Sequence, residues 1–354
     1  MTTAQHQLAI DMRANAQRWQ EDGSPFYAVL QARMADDVDQ GGICWAVLKD
    51  YAADARNEVP GPRLLAGIHK LVLAGQLPQL VPYYPSIGGN GDAEAAWALF
   101  PEAIAAHRAQ LQKAVKHVPQ TNEVGRADAL VGGMLIAAQE TGLPLRLLEI
   151  GASAGLNLRF DHFYYEQDGV GFGDPESKVR FVDLWEGGRP PFETDCRVAS
   201  RRGCDRSPID PQTEDGRLTL LSYIFADELE RFTLLQNALD IACRVPATVE
   251  RADVADWLVG NLLPLPQGQA TVLYHSFLWQ YLDAAEAERC GAMIGAAGRQ
   301  ATTDNPFVHV ALEAHGGDYT HTELRYRRWP GGDERLLAVT GTHGGIVHWQ
   351  VGAA

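Results

Sequence analysis

The sequence predicts an α/β protein, with an α-helical N-terminal cap leading into a parallel, doubly wound sheet. Three observations carry this expectation. Residues 1 to about 142 show helical spacing and almost no strand pattern. From Leu143 onward, short apolar runs alternate with helical stretches, which is how a parallel sheet with right-handed crossovers is written. The first such run, "LRLLEI", opens directly into a glycine-rich turn, "GASAG", from Gly151 to Gly155. At 354 residues the chain exceeds what one core usually serves, so a cap over 1–120 and an α/β domain over 121–354 are expected.

In the cap, Ser24 and Pro25 form an N-cap and first-turn proline ahead of "FYAVLQARM". "CWAVLKDYAADA" and "PRLLAGIHKLVLAG" continue with apolar residues three and four apart. "VPYYPSIGGNGD", Val81 to Asp92, must be a loop and is a candidate mobile lid over the carboxyl edge of the sheet. Helices resume in "AEAAWALFPEAIAAHRAQLQKAV", and another starts near Asn122 and stops at Gly142.

In the α/β domain, "LRLLEI", "CRVASRRGC", "ATVERA", "ATVLYHS" and "FVHVALEA" are the strands. A helix should follow the glycine turn, and one long helical stretch should run over about 214–242. "DVADWLVGNL" and "AAEAERCGAMIGAAGR" are the later helices. "YYEQDGVGFGDPESKVRFVDLWEGG" reads as an inserted hairpin, and "ELRYRRWPGGDERLLAVTG" with "GIVHWQV" as an antiparallel finish.

A net charge of −15 argues against a phosphate-backbone partner, and no stretch approaches the apolar length of a membrane span. Arg201, Arg202 and Arg206, and again Arg325, Arg327 and Arg328, are local basic clusters that suit either an anionic small molecule or solvated strand edges. The five cysteines show no C-x-x-C spacing and the opening lacks a signal-peptide pattern, so a reducing cytoplasm is expected. The expected partner is a small-molecule substrate.

The glycine turn has two readings. As G-x-S-x-G it is a nucleophile elbow, with Ser153, an acid and His343 as a triad. As E-x-G-x-x-x-G from Glu149 it is a loop that cradles an adenosine cofactor beyond a strand end. The second reading uses more residues. Gly151, Ala152, Ser153 and Gly155 would form the cradle, Glu149 would face an ammonium group, Asp205 would accept ribose hydroxyls, and Asp253 the adenine amino group. His275 is a candidate general base, with Glu123 as a second acid–base group and Arg126 for an anionic acceptor. Each has a plainer alternative: Asp253 and Asn122 as helix caps, Asp205 as a partner of Arg206, Glu123 paired with Arg126, and His275 hydrogen-bonded at a strand end. His309, Glu313 and His315 fall on one strand face, but a strand emerging from the core explains them without a metal.

"LLEIGASAGLNL", "GCDRSPID", "RADVADW" and "TVLYHSFLWQYL" resemble the successive motifs of class I S-adenosylmethionine-dependent methyltransferases over roughly the last two-thirds of the chain. That resemblance implies a Rossmann-like fold, S-adenosylmethionine as cofactor and methyl transfer as the reaction. Ser153-Ala154 departs from the small-glycine run usual in that loop. With "GSPFYAVL", "YYPS", "QTNEVGR" and "RLLAVTGTHG" added, the whole chain resembles a bacterial family designated domain of unknown function 2332. A serine hydrolase, a cofactor-free binding protein on the same fold and an interaction protein are the competing expectations.

Overall fold

The computed structural model describes residues 3–52, 60–117, 120–315 and 318–351, which form two compact units. The first comprises Met1–Thr121 with Thr213–Thr233, the second Asn122–Gln212 with Leu234–Ala354. Among the described residues no helix is long and apolar enough to cross a membrane.

The first unit is helical: α1 (Thr3–Glu21), α2 (Pro25–Gln40), α3 (Ile43–Leu48), α4 (Pro60–Leu73), α5 (Ala93–Trp97), α6 (Phe100–Ala106) and α7 (Arg108–Ala114). The helix expected through "CWAVLKDYAADA" ends at Leu48 and gives way to a 3-10 turn, Lys49–Tyr51, and its last three expected residues lie outside the described residues. Pro25 starts α2 as predicted, but the Ser24 side chain caps nothing; the Asp227 carboxylate accepts from Phe26 N at 2.9 Å instead. The segment expected as a mobile lid forms two 3-10 turns, Pro78–Tyr83 and Pro85–Ile87. Between them Tyr84 is buried, with its ring centroid 5.2 Å from Phe26 and 5.4 Å from His69. Swinging this segment outward would strip an aromatic side chain from the core, so it is an anchored loop.

The second unit is a mixed α/β fold with a large, mostly parallel sheet flanked by helices. It opens with α8 (Ala127–Thr141), which ends at Gly142 in the left-handed conformation. Strand β1 (Leu145–Ile150) follows, then β2 (Tyr164–Gln167), β3 (Val170–Gly173), β4 (Arg180–Val182), β5 (Trp185–Glu186) and β6 (Val198–Asp205). The stretch expected as one long helix is two: α9 (Glu214–Ser222), which belongs to the first unit, and α10 (Leu229–Ala242), whose residues from Leu234 on belong to the second. The break is tertiary: Phe225 stacks on Tyr27 at 4.5 Å and meets Trp19 at 4.7 Å, while Asp227 takes Phe26 N. Then come β7 (Thr248–Arg251), α11 (Val254–Asn261), β8 (Ala270–Ser276), α12 (Ala284–Gln300), β9 (Phe307–His315), β10 (Asp318–Trp329), β11 (Glu334–Thr340) and β12 (Val347–Trp349).

Nine strands form one sheet in the order β5-β12-β11-β10-β9-β8-β1-β6-β7, and the inserted segment makes its own sheet, β3-β2-β4. From β7 across to β9 every neighbouring pair is parallel, and β10, β11 and β12 then alternate. The chain runs from β1 out to β6 and β7, then returns to β8 on the other side, so strand order reverses between β1 and β8. One face buries Leu148, Ile150, Leu273 and Phe307 against apolar residues of α11 and α12. Helix α8 packs on strands of the other face, where an added methyl at Gly133 would lie 2.8 Å from Val310.

The helix expected after the glycine turn is a 3-10 helix, Leu156–His162, kinked at Arg159. Arg159 explains it. The Gly155 carbonyl accepts Leu158 N at 3.2 Å, the three-residue bond of a 3-10 turn, and takes the Arg159 guanidinium at 2.6 Å where an α-helix would bring the backbone N–H of residue 159.

Candidate functional site

Glu149 and Tyr274 are register partners on β1 and β8, and Tyr274 donates its hydroxyl to Glu149 Oε2 at 3.2 Å. Gly203 pairs with Glu149 on the other side, so Asp205, two residues on, shares that face. Burial pushes the Glu149 carboxyl up to about 8, against the pull of Tyr274, Arg159 and Arg126.

Left-handed residues alternate through the loop, with φ 71° at Gly151, 52° at Ser153 and 68° at Gly155. Asp205 Oδ2 accepts from Ser153 N at 2.9 Å, and Oδ1 from Ser207 N at 2.8 Å. Asn122 Oδ1 accepts from both Ala154 N and Leu156 N, at 3.1 and 3.0 Å. Ala152 N and Gly155 N find backbone carbonyls. Glycine is required at two positions for space as well as φ: a methyl on Gly151 would sit 2.8 Å from Leu278, and one on Gly155 2.7 Å from Val249. Two buried oxygens at the loop, Ser153 Oγ and Asn157 Oδ1, have no hydrogen-bond partner among the described residues.

These contacts disfavour the elbow. The N–H after a nucleophilic serine normally serves the oxyanion, and here Ala154 N is spent on Asn122. Among the described residues no histidine reaches the Ser153 hydroxyl. Ser153 is therefore expected to stay unmodified when intact mass is followed with a fluorophosphonate probe; an adduct there would revive the hydrolase reading.

Asn122 is thus no helix cap, and the turn before α8 begins only at Val124. Its neighbour Glu123 accepts Asn157 Nδ2 on its carbonyl, at 3.1 Å, and places carboxylate Oε2 2.9 Å from His343 Nδ1. The two segments interlock through glycine: a methyl on Gly125 would lie 2.0 Å from the His343 carbonyl, and one on Gly344 2.5 Å from the Gly125 carbonyl. Arg126 Nε donates to the Thr342 carbonyl at 3.0 Å, and Asp128 Oδ2 accepts Gly345 N at 2.7 Å. The Arg126 guanidinium also lies 4.2 Å from the Phe277 ring centroid and 3.4 Å from Ser276 Oγ. Phe277 has φ 52°, so strained non-glycine backbone stands at the ends of both β1 and β8.

His275 goes elsewhere. It follows Tyr274, so its side chain takes the opposite face of β8 from Glu149. There it is buried, with Nδ1 2.6 Å from Glu313 Oε1 and Nε2 3.1 Å from His309 Nε2. The same Glu313 oxygen accepts Leu278 N and Trp279 N, so the cluster ties down the turn after β8. Burial and then His275 push His309 down to about 3. The side chain of His315 lies outside the described residues.

Asp253 caps α11, accepting Ala255 N at 3.2 Å, and meets Arg206, which also binds Glu286. The other basic clusters are paired: Arg201 with Asp161, Arg202 with Glu250, Arg325 with Glu323 and Glu334, and Arg328 with Glu140. Arg327 lies over the Trp329 ring.

The structure therefore brings Glu123, Arg126, Glu149, Asp205 and the loop together, and sends His275 and Asp253 to packing and capping positions. What sequence reasoning gave only as a triad member, His343, joins the first group. No curated protein and no solved structure matches the chain. Its sequence does match one family over residues 10–349, and the chain belongs to that family of uncharacterised proteins conserved in bacteria, DUF2332.

Proposed function

We propose that the second unit is a Rossmann-like, methyltransferase-like domain that transfers a methyl group from S-adenosylmethionine to a small molecule. One observation carries the reading. The glycine loop follows β1 at the point where strand order reverses, with acidic side chains at the ends of β1 and β6 on one face. Nucleoside cofactors bind in the crevice beyond strand ends at such a reversal. The buried, unpartnered Ser153 Oγ and Asn157 Oδ1 fit a polar ligand at this loop, and two strained residues flank the same point.

Glu149, the loop and Asp205 would hold the cofactor, whose sulfonium supplies an activated methyl group. Asp205 would receive ribose hydroxyls with its carboxylate already fixed by two backbone amides. Glu149, mostly protonated at neutral pH because it is buried, would give up that proton as a cationic ligand settled beside it. Arg126 stands near for an anionic acceptor.

Calorimetric titration with S-adenosylhomocysteine tests this. Wild-type protein should bind, and Asp205→Asn should bind more weakly by about 1–3 kcal/mol, the cost of an unmet buried hydrogen bond. Thermal melts of both proteins separate lost affinity from lost folding. No heat at millimolar ligand from folded wild-type protein would end the methyltransferase reading.

A further inference from the structure

We infer that His343, oriented by Glu123, is the general base of this site, and that the acceptor is a protic nucleophile such as a phenol or thiol. The inference rests on the methyl-transfer reading above.

The burial of the two partners carries it. The Glu123 side chain is 3% exposed whereas the His343 ring is 54% exposed. An ordinary surface pair in the same unit, His348 with Glu186, exposes both partners, at 53% and 62%. In the Glu123 pair the carboxylate is fixed within the fold and only the imidazole is open to solvent. The arrangement does fix an imidazole: a carboxylate at Nδ1 favours the tautomer with its proton there and makes Nε2 the basic nitrogen.

The loop that carries His343 is held as a unit. Gly125 and Gly344 interlock, Arg126 holds the Thr342 carbonyl, and Asp128 holds Gly345 N. Glu123 is also continuous with the cofactor loop, since Asn122 binds Ala154 N and Leu156 N while Asn157 binds the Glu123 carbonyl. One short segment thus positions both the loop and the imidazole. Glu123 lies beneath His343, and Arg126 and Asp128 follow on the same segment; burial pushes the Asp128 carboxyl up to about 8.

In this role Nε2 takes the proton from the acceptor O–H or S–H. The acceptor's lone pair forms the bond to the methyl carbon as the carbon–sulfur bond breaks, its electron pair staying on sulfur. The exposed imidazolium then returns its proton to water. A carboxylate acceptor would need no such base, which is why the geometry selects a protic one.

Two measurements decide it. Long-range proton–nitrogen NMR of the wild-type protein, with the His343 signals assigned by their loss in His343→Gln, should show the neutral ring protonated on Nδ1. Glu123→Ala should shift the proton toward Nε2; if that variant does not fold, the wild-type tautomer alone decides. A wild-type ring protonated on Nε2 overturns the inference. The second measurement incubates the protein at neutral pH with S-adenosylmethionine and 4-methylphenol, benzyl mercaptan or benzoate, of which only benzoate is already ionised, and follows methylated product by mass spectrometry. Product should form from a protic acceptor and fall about 10²–10⁴-fold in His343→Gln. S-adenosylhomocysteine affinity should be unchanged in that variant. Product from benzoate alone, or from none of the three, overturns the inference, whereas loss of S-adenosylhomocysteine binding in wild-type protein would sink the methyl-transfer reading and leave the tautomer result standing.

Discussion

Gly125→Ala should lower the stability of the α/β unit by about 3 kcal/mol, the upper range for overpacking. Its added methyl would lie 2.0 Å from a backbone oxygen, the His343 carbonyl, and backbone cannot swing aside as a flexible side chain does. The loss corresponds to roughly 6–12 °C in the melting midpoint for a unit of this size. Hydrogen exchange should report where the strain is relieved: the Gly345 amide, bonded to Asp128, should lose protection as the loop lifts. Gly260→Ala and Gly291→Ala are the controls, because each lies in a helix and an added methyl meets nothing within 4 Å. Both should stabilise by about 0.5–1 kcal/mol through helix propensity. If Gly125→Ala melts with the controls, the interlock is not the constraint described.

Glu149→Gln should change the pH dependence of stability by a comparable amount. The carboxyl ionises near 4.5 in an unfolded chain and is raised to about 8 when folded, with burial the main cause. The folded protein therefore binds the extra proton between those values, and stability falls as pH rises through that window. Asp128, raised to about 8, acts in the same sense, and His309, lowered to about 3, in the opposite one between about 3 and 6.5. Removing only Glu149 isolates its share. Denaturant titrations should find variant and wild type similar at pH 4.5, and the variant more stable at pH 8.5 by on the order of 4 kcal/mol. Parallel stability curves for the two proteins would show that Glu149 ionises freely in the fold.

The strand ends were legible because their signals are local. "LRLLEI" is a compact apolar run followed by glycine, and Asp205 stands at the end of its own strand. The face taken by His275 was not legible, since β8 is buried on both faces and its apolar run has no alternation to reveal parity. The role of Asn122 was hidden for another reason: its acceptor serves amides 32 and 34 residues away, whereas in sequence it looks like a helix cap. Phe225 broke an expected helix in the same way, through a partner the local pattern does not contain. The glycines of "GTHGG" were visible, but their partner Gly125 lies more than two hundred residues earlier.

The separation of Glu123 from His343, 220 residues, gives the site a history as well as a geometry. Asn122 reaches the glycine loop across only 32 residues, so a growing chain can close that loop soon after β1 has formed. The histidine arrives only after β8, β9, β10 and β11 have been made. Synthesis therefore passes through a stage in which Asn122 can already hold the glycine loop while His343 has not yet been made.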